Sequence, residues 1–241
     1  MMGGGILKKI VDKYWFKQYV RERLGDGYTI PLLGYWNNIK TLRKDWDNLP
    51  EKFVLKSTIS SEGANIKIIT SKKAINLNVL EKEIKKWLDP KNTMLDSWCC
   101  GYYHTHPGIL AEEYMENISN QLYDFKVFCF DGNPYCIYAA IEHFNKSNYP
   151  IVFYNLNWEK LDVKYGNHET ADVPCPKHLQ RMIEIAKQLS AGFPFVRVDF
   201  FDTNDKLLLA EMTFYPGGGL TPYYPHSFNE ELGKMFKLPI A

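Results

Sequence analysis

Two short segments near the C-terminal end combine acidic, basic and hydroxyl side chains at alternating positions. Arg197 and Asp199 are separated by one residue, and so are Glu211 and Thr213, and each pair is set among apolar residues. Alternate residues of a β-strand lie on one face of its sheet, so each pair is expected to share a face. A turn centred at Asp205 would put Asp199 opposite Glu211 and Arg197 opposite Thr213. A register shift of one residue would separate the two carboxylates.

Two carboxylates placed opposite each other on neighbouring strands would be about 5 Å apart and would repel each other without a cation between them. Mg²⁺ is suited to this position because it binds one or two carboxylates together with substrate phosphates and water. The alternative is that Arg197 neutralises both acids in a surface salt-bridge cluster. The residue pattern alone leaves both interpretations open.

A second segment suggests a phosphate contact. Lys56 ends a predicted strand over 53–56, and a loop of small and hydroxyl residues over 57–65 leads to a second predicted strand over 66–69. Backbone N–H groups of such a loop can surround a phosphate while a lysine supplies a point charge. The loop does not have the glycine and lysine spacing of a P-loop. Taken alone, the pattern favours an ordinary surface hairpin loop.

A third segment, 109–115, begins apolar and turns acidic at Glu112 and Glu113. The backbone of such a strand could pair with the edge of a purine, as in a hinge between two lobes. Taken alone, the pattern favours a core strand that ends at a polar rim.

The elements that must position these residues are helices and hairpins in mixed order. Apolar spacing predicts helices over 6–24, 79–88 and 179–189, and strands over 126–130, 135–141, 195–201 and 207–214. The segment Asp131-Gly132-Asn133-Pro134 predicts a hairpin turn between the first two of these strands. Because helices and strands do not alternate regularly, we expect an α+β fold and not a Rossmann sheet.

Composition narrows the class of protein. The chain of 241 residues has 29 basic and 28 acidic side chains, a formal charge of +1, which makes nucleic acid a poor candidate partner. Aromatic residues make up 15% of the chain, enough to build binding surfaces as well as core. The sequence shows no membrane span and no signal peptide. Five cysteines, an odd number, then indicate reduced thiols and a cytoplasmic protein.

Cysteine and histidine residues occur close together near the middle of the chain. Cys99 and Cys100 precede His104 and His106, but their spacing does not match that of zinc ligands. A loop at the edge of the hinge strand is the favoured interpretation. A cysteine hydrolase is disfavoured because no nucleophile motif accompanies a cysteine.

Several segments, taken in order, resemble a known family. Arg197–Phe201 and Ala210–Gly218 look like the metal-binding end of D-alanine–D-alanine ligases. Nearly the whole chain from Asp12 onward resembles the teichuronopeptide-synthesis (TupA-like) ATP-grasp family. The segments that carry this resemblance are Asp12-Lys13, Ile30-Pro31-Leu32-Leu33-Gly34, 49–57, 124–132 and 211–219.

The resemblance implies an ATP-grasp fold, in which two α+β lobes with mostly antiparallel sheets grip ATP between them. Residues 1–50 would be an N-terminal helix and connecting segment, 51–115 the small lobe with phosphate lid and hinge, and 116–241 the large lobe with the metal site.

The resemblance also implies roles for individual residues. Asp199, Glu211 and Thr213 would bind Mg²⁺, and Arg197 and Lys56 would act on the transferred phosphoryl group. Lys13 and Lys56 would hold phosphates, 57–65 would be the lid, 112–115 the adenine hinge, and Glu113 or Glu116 the ribose contact. The full set of implied ATP contacts is Lys13, Lys56, Ser57, Ser61, Gly63, Glu112, Glu113, Tyr114, Met115, Glu116 and Lys126.

Three features depart from the family pattern. Thr213 stands where many ATP-grasp enzymes have Asn, and the lid reads Ile59-Ser60-Ser61-Glu62 where His-Gly-Ser-Gly is expected. The segment before Asp12 is shorter than the extra lobe that precedes many ATP-grasp domains.

The implied activity is an ATP- and Mg²⁺-dependent ligation of a carboxylate to an amine through an acyl phosphate. The partners would be an amino acid and a sugar acid or polysaccharide precursor. An ATP-dependent kinase and an inactive nucleotide-binding scaffold are the alternatives. Formation of ADP that depends on an amine would separate the ligase from the kinase.

Overall fold

The computed structural model describes residues 4–59, 64–89, 106–115, 122–142, 149–203 and 205–237. The described residues up to 115 form one compact unit, and those from 122 onward form a second. We call these the N-terminal unit and the C-terminal unit. The finer division into 1–50, 51–115 and 116–241 stays a prediction.

The N-terminal unit is built on an antiparallel sheet. Its described strands are β1 (Leu32–Trp36), β2 (Phe53–Ser57), β3 (Ile66–Ile69) and β4 (Ile109–Glu113), in the order β1-β4-β2-β3. The strands predicted over 53–56, 66–69 and 109–115 are therefore confirmed, although the last ends at Glu113. Strand β4 is buried up to Glu112 because it pairs with β1 on one side and β2 on the other.

Four α-helices of the N-terminal unit are described: α1 (Gly4–Ile10), α2 (Lys13–Leu24), α3 (Ile39–Asp45) and α4 (Leu77–Trp87). The prediction of one helix over 6–24 was wrong, because Asp12 has extended backbone angles and interrupts it. The Asp12 side chain accepts hydrogen bonds from the N–H groups of Tyr14 at 2.9 Å and Trp15 at 3.1 Å. These are the bonds of an N-cap, so Asp12 begins α2. Gly25 ends α2, and α4 packs Leu80, Ile84 and Trp87 into the core, as its spacing predicted.

The C-terminal unit has a second antiparallel sheet. Its described strands are β5 (Leu122–Phe130), β6 (Asn133–Glu142), β7 (Ile151–Tyr154), β9 (Phe195–Asp202) and β10 (Leu207–Thr213), in the order β10-β9-β5-β6-β7. A short ribbon pairs β8 (Lys164–Tyr165) with β11 (Tyr223–Tyr224), and the described α-helices of this unit are α5 (Leu179–Ser190) and α6 (His226–Met235). The predicted hairpin between β5 and β6 is confirmed: Asp131 and Gly132 both have positive φ, as a two-residue hairpin turn requires. Separate helices and antiparallel sheets confirm the α+β class.

The two faces of this sheet differ in character. One face packs β5 and β9 against α5, whose buried residues include Met182, Ile185 and Leu189. The other face packs Phe128, Phe153 and Phe228 in an aromatic cluster that includes residues of α6. Asp124 and Lys126 of β5 and Arg197 and Asp199 of β9 lie on this second face, beside the aromatic cluster.

The register of β9 against β10 matches the sequence-based prediction at the four site residues. Asp199 pairs with Glu211, and Arg197 pairs with Thr213. A β-bulge between Leu209 and Glu211 precedes these pairs. The bulge matters because Leu209 and Glu211 would otherwise lie on the same face of the strand. It allows Leu209 to stay buried while Glu211 lies across from Asp199.

Across the described ranges, no helix combines the length and apolar character needed to cross a membrane. Three cysteines of the described ranges, Cys129, Cys136 and Cys175, are free thiols.

Candidate active site

The C-terminal unit carries a row of polar side chains that runs across four strands. Tyr138 on β6 pairs with Lys126 on β5, Lys126 pairs with Asp199 on β9, and Asp199 pairs with Glu211 on β10. Arg197 and Thr213 form the neighbouring pair on β9 and β10. We call Asp124, Lys126, Tyr138, Arg197, Asp199, Glu211 and Thr213 the charge cluster. It brings together the predicted metal ligands, the predicted catalytic arginine and one predicted ATP contact, Lys126.

Arg197 is the centre of the charge cluster. Its Nε donates to Oδ1 of Asp199 at 2.7 Å, and its Nη2 donates to Oδ2 at 2.6 Å, a bidentate arrangement. The same Nη2 donates to Oγ1 of Thr213 at 3.0 Å and lies 3.4 Å from Oε1 of Glu211. The Thr213 hydroxyl donates in turn to Glu211 at 3.2 Å. Oxygen atoms of all three predicted metal ligands therefore surround one cationic nitrogen.

Lys126 on β5 is the second cation that contacts Asp199. Its Nζ lies 3.1 Å from Oδ2 of Asp199 and also contacts Oδ2 of Asp124. Burial by itself would raise the pKa of Asp199, but the charges of Arg197 and Lys126 outweigh burial and hold that pKa below its usual range. Burial likewise would lower the pKa of Lys126, but Asp124 and Asp199 raise it well above the ordinary value. Asp199 and Lys126 are therefore both charged at neutral pH.

Tyr138 supports both cations from β6. Its ring centre lies 5.8 Å from Nζ of Lys126 and 5.6 Å from Cζ of Arg197, within the range of a cation–π contact. Its hydroxyl accepts a hydrogen bond from Nη1 of Arg197 at 3.3 Å. Burial raises the pKa of Tyr138 well above the ordinary range, so the hydroxyl stays protonated.

The site-residue assignment from sequence did not include Asp124 or Tyr138. Alternation along β5 would have put Asp124 on the same face as Lys126, so a signal was present for that residue. Tyr138 gave no such signal, because its relation to Arg197 arises from two intervening strand pairings.

The residue types of the charge cluster fit a magnesium ion. Three carboxylates face two cations, so the cluster carries a net charge of −1 when all five groups are ionised. Glu211 is the more exposed carboxylate of the pair, with a side chain 39% exposed, whereas Asp199 is fully buried. Mg²⁺ prefers oxygen ligands of this kind. The described residues contain no group of three or more His, Cys, Asp and Glu side chains arranged to hold a metal, so the assignment to Asp199, Glu211 and Thr213 stays a prediction.

The N-terminal unit carries a second group of charges. Nζ of Lys17 on α2 lies 2.6 Å from Oε1 of Glu112, and Nζ of Lys56 on β2 lies 2.6 Å from Oε2. Lys17 also donates to the carbonyl oxygen of Ile30 at 2.6 Å. We call Lys17, Lys56 and Glu112 the lysine–glutamate triad. Lys17 was missed from the sequence, because nothing in its local pattern relates α2 to β4.

Burial and the neighbouring charges shift the pKa values of Glu112 and Lys17. Burial would raise the pKa of Glu112, but the charges of Lys56 and Lys17 outweigh it and lower that pKa. Burial lowers the pKa of Lys17, and the charge of Glu112 offsets only part of this effect. The pKa of Lys17 therefore lies below its ordinary value. Glu112, predicted for the adenine hinge, therefore has both of its carboxylate oxygens in ion pairs.

The remaining predicted ATP contacts are placed as follows. Lys13 is the first residue of α2, and its N–H donates to the carbonyl of Thr58 at 2.8 Å. Ser57 ends β2, and its N–H donates to the carbonyl of Asn65 at 2.9 Å, which closes the base of the predicted lid. Glu113 is the exposed last residue of β4, and Tyr114 and Met115 follow it. Outside the described residues lie Ser61, Gly63 and Glu116, as well as Cys99, Cys100 and His104 of the disfavoured zinc site.

Comparison with solved structures places this fold among known ones. D-alanine–D-alanine ligase from Bacillus anthracis, complexed with ATP, superposes with a TM-score of 0.51 at 15% identity, over 86% of this chain and 56% of that one. D-alanyl-alanine synthetase A from Vibrio cholerae gives a TM-score of 0.52 at 12% identity, over 87% and 57% of the two chains.

A third match is the biotin carboxylase domain of 2-oxoglutarate carboxylase from Hydrogenobacter thermophilus, solved with ADP, its magnesium salt and bicarbonate. It gives a TM-score of 0.54 at 14% identity, over 87% of this chain and 40% of that one. The chain thus spans about half the length of the structures it matches. At these identities the likeness concerns the fold.

No curated protein matches the chain. The model of one family, described as TupA-like ATP-grasp, matches residues 6–237, nearly the whole chain. The match agrees with the fold and with the segments that first indicated the resemblance. The chain belongs to the TupA-like ATP-grasp family.

Proposed function

We propose that the protein is an ATP- and Mg²⁺-dependent ligase that joins a carboxylate to an amine through an acyl phosphate. The observation that carries this proposal is the charge cluster, in which oxygens of Asp199, Glu211 and Thr213 surround the Nη2 atom of Arg197. Membership of the ATP-grasp family supports it, and two of the matching structures are a D-alanine–D-alanine ligase and a D-alanyl-alanine synthetase.

In this proposal the residues of each unit have distinct roles. Lys13 and Lys56 bind phosphates of ATP, and the segment from Glu113 to Met115 lies along the adenine. Glu211, Asp199 and Thr213 hold Mg²⁺, which would neutralise charge on the phosphates when bound. Arg197 stabilises the charge on the transferred phosphoryl group, for which a bidentate guanidinium is well suited.

The reaction has two steps. A carboxylate oxygen of the substrate attacks the γ-phosphorus of ATP, the bond to the bridging oxygen breaks, and ADP leaves with an acyl phosphate formed. The amine of the second substrate then attacks the acyl carbon, phosphate leaves, and the amine loses a proton to give an amide. The family resemblance favours an amino acid as one substrate and a sugar acid or polysaccharide precursor as the other.

The first test is thermal unfolding with and without ATP and Mg²⁺, followed by measurement of ADP release. A ligand present at 100 times its dissociation constant stabilises the folded state by about 2.7 kcal/mol, which a melting curve resolves. The proposal expects a Mg²⁺-dependent rise in melting temperature with ATP. It then expects ADP formation that requires both a carboxylate and an amine from a panel of amino acids and uronic acids.

Other outcomes would point elsewhere. ADP formation with a single acceptor and no need for an amine would identify a kinase. Binding of ATP without ADP formation under any acceptor would identify a nucleotide-binding scaffold. Absence of binding at millimolar ATP would reject the proposal altogether.

A further inference from the structure

Glu112 is held between two ammonium groups from different elements. Lys17 on α2 contacts Oε1 and Lys56 on β2 contacts Oε2, both at 2.6 Å. The Glu112 side chain is only 7% exposed, so it has little surface left for a ligand. This carboxylate therefore serves the protein's own cations.

The triad carries more positive than negative charge. Two ammonium groups against one carboxylate leave a net charge of +1, and an excess charge in a mostly buried site favours an anion nearby. The Lys56 side chain is 19% exposed and the Lys17 side chain 8%. Lys56 is thus the member through which the excess charge is presented to a ligand.

Lys17 has contacts that fix its own position. Besides Glu112, its Nζ donates to the backbone carbonyl of Ile30, which precedes β1. The strand pairing places Glu112 opposite Val54, diagonal to Lys56 on β2, so the carboxylate must reach along the sheet to meet Lys56. A second cation on Oε1 keeps the carboxylate in that orientation.

We propose that Lys17 is a positioning residue for nucleotide phosphates: it acts through Glu112 to hold the ammonium of Lys56 in place and adds a second positive charge behind it. This inference rests on the proposed function, in which Lys56 contacts a phosphate of ATP. It also assigns Glu112 to the support of Lys56 and not to direct contact with adenine.

The test measures dissociation constants for MgATP, MgADP and adenosine by calorimetry. In Lys17→Met, Glu112 keeps one cation and the local charge falls to zero, so we expect MgATP and MgADP to bind about tenfold more weakly. Adenosine, which has no phosphate, should bind as it does to the unaltered protein. Lys17→Arg retains the charge and should restore most of the phosphate affinity.

Lys67 supplies the matched control. It lies on β3 of the same sheet and pairs with Glu83 at 2.6 Å, outside the triad. Lys67→Met should leave all three dissociation constants unchanged. If Lys17→Met does not fold, Lys17→Gln takes its place, because an amide can still donate to Glu112 without supplying charge.

The outcomes separate this inference from the proposed function. If the unaltered protein binds neither nucleotide, the proposed function itself fails. If it binds MgATP and neither Lys17→Met nor Lys17→Gln weakens that binding, the positioning role is overturned while the function stands. If a Lys17 variant binds MgATP and adenosine more weakly by the same factor, the positioning role is also overturned, since the substitution then causes a general structural defect.

Discussion

Arg197 holds Asp199 through two parallel hydrogen bonds, from Nε to Oδ1 at 2.7 Å and from Nη2 to Oδ2 at 2.6 Å. The sequence left open whether Asp199 binds a metal or an arginine, and in this structure the arginine occupies both carboxylate oxygens. The pair is buried and not at the surface. Glu211, being partly exposed, is therefore the better residue for testing metal binding without disturbing the fold.

Asp199→Asn and Glu211→Gln should affect stability very differently. Asp199→Asn leaves the buried cations Arg197 and Lys126 without their shared carboxylate, and breaking such a buried ion pair costs about 3–5 kcal/mol. Glu211→Gln removes a partly exposed pair worth at most about 1 kcal/mol. Urea unfolding of both variants measures the difference. Equal losses of stability would contradict the assignment of Asp199 as the buried anchor.

Tyr138→Phe and Tyr138→Leu separate the two contacts of this ring. The Phe variant leaves Nη1 of Arg197 without its 3.3 Å acceptor, which should cost about 1–3 kcal/mol. The Leu variant also loses the cation–π contacts, worth about 2 kcal/mol when desolvated, so it should be less stable than the Phe variant. Thermal unfolding gives the order, and a Leu variant at least as stable as Phe would rule out a role for the ring face.

Substitutions of Thr213 should tune metal affinity with little change in fold. Its hydroxyl accepts from Arg197 at 3.0 Å, and Val in its place removes an oxygen ligand. We expect Thr213→Val to weaken, and Thr213→Asn to strengthen, binding of Mn²⁺ as a magnetic probe in the presence of ADP, each by up to about tenfold. Electron paramagnetic resonance measures the bound fraction. Identical affinities in all three proteins would exclude Thr213 from the metal site.

Glu112 should contribute to stability above acidic pH. Its pKa in the folded protein is below the ordinary value of 4.5, so its contribution is complete above that pH and is lost as the pH falls through the lower, folded-state pKa. In the Glu112→Gln variant, the free energy of unfolding should therefore decline less steeply than in the unaltered protein as the pH falls below 4.5. Chemical unfolding at a series of pH values measures the slope.

Asp12→Asn should change the pH dependence of the free energy of unfolding in the opposite direction and so serves as a control. Burial raises the pKa of Asp12, so the folded protein takes up a proton there as the pH falls and gains stability. In Asp12→Asn the amide oxygen can still cap α2, but no proton is taken up at this position. The free energy of unfolding should therefore decline more steeply with falling pH than in the unaltered protein. Parallel slopes in all three proteins would show that neither carboxyl governs the acid response.

Local patterns predicted much of the C-terminal site. Period-two alternation placed Arg197 with Asp199 and Glu211 with Thr213, and a turn centred at Asp205 gave pairs that the structure confirms. The hairpin at Asp131 and Gly132 was equally local, because both residues must adopt positive φ there. Such features can be predicted because they depend on neighbours a few residues apart. The break at Asp12 is local as well, but it was missed because the apolar spacing continues across it while the Asp12 side chain caps a new helix.

The sequence by itself determined which residue types share a strand face, the class of fold and the family resemblance. The tertiary structure alone decided which strands are neighbours, and hence that Lys126 and Tyr138 join Arg197, and that Lys17 meets Glu112. It also decided the β-bulge before Glu211, which reconciles a buried Leu209 with a polar Glu211 on the same strand. Strand order and helix docking are set by burial of the whole apolar surface, a property of the complete chain that no short segment contains.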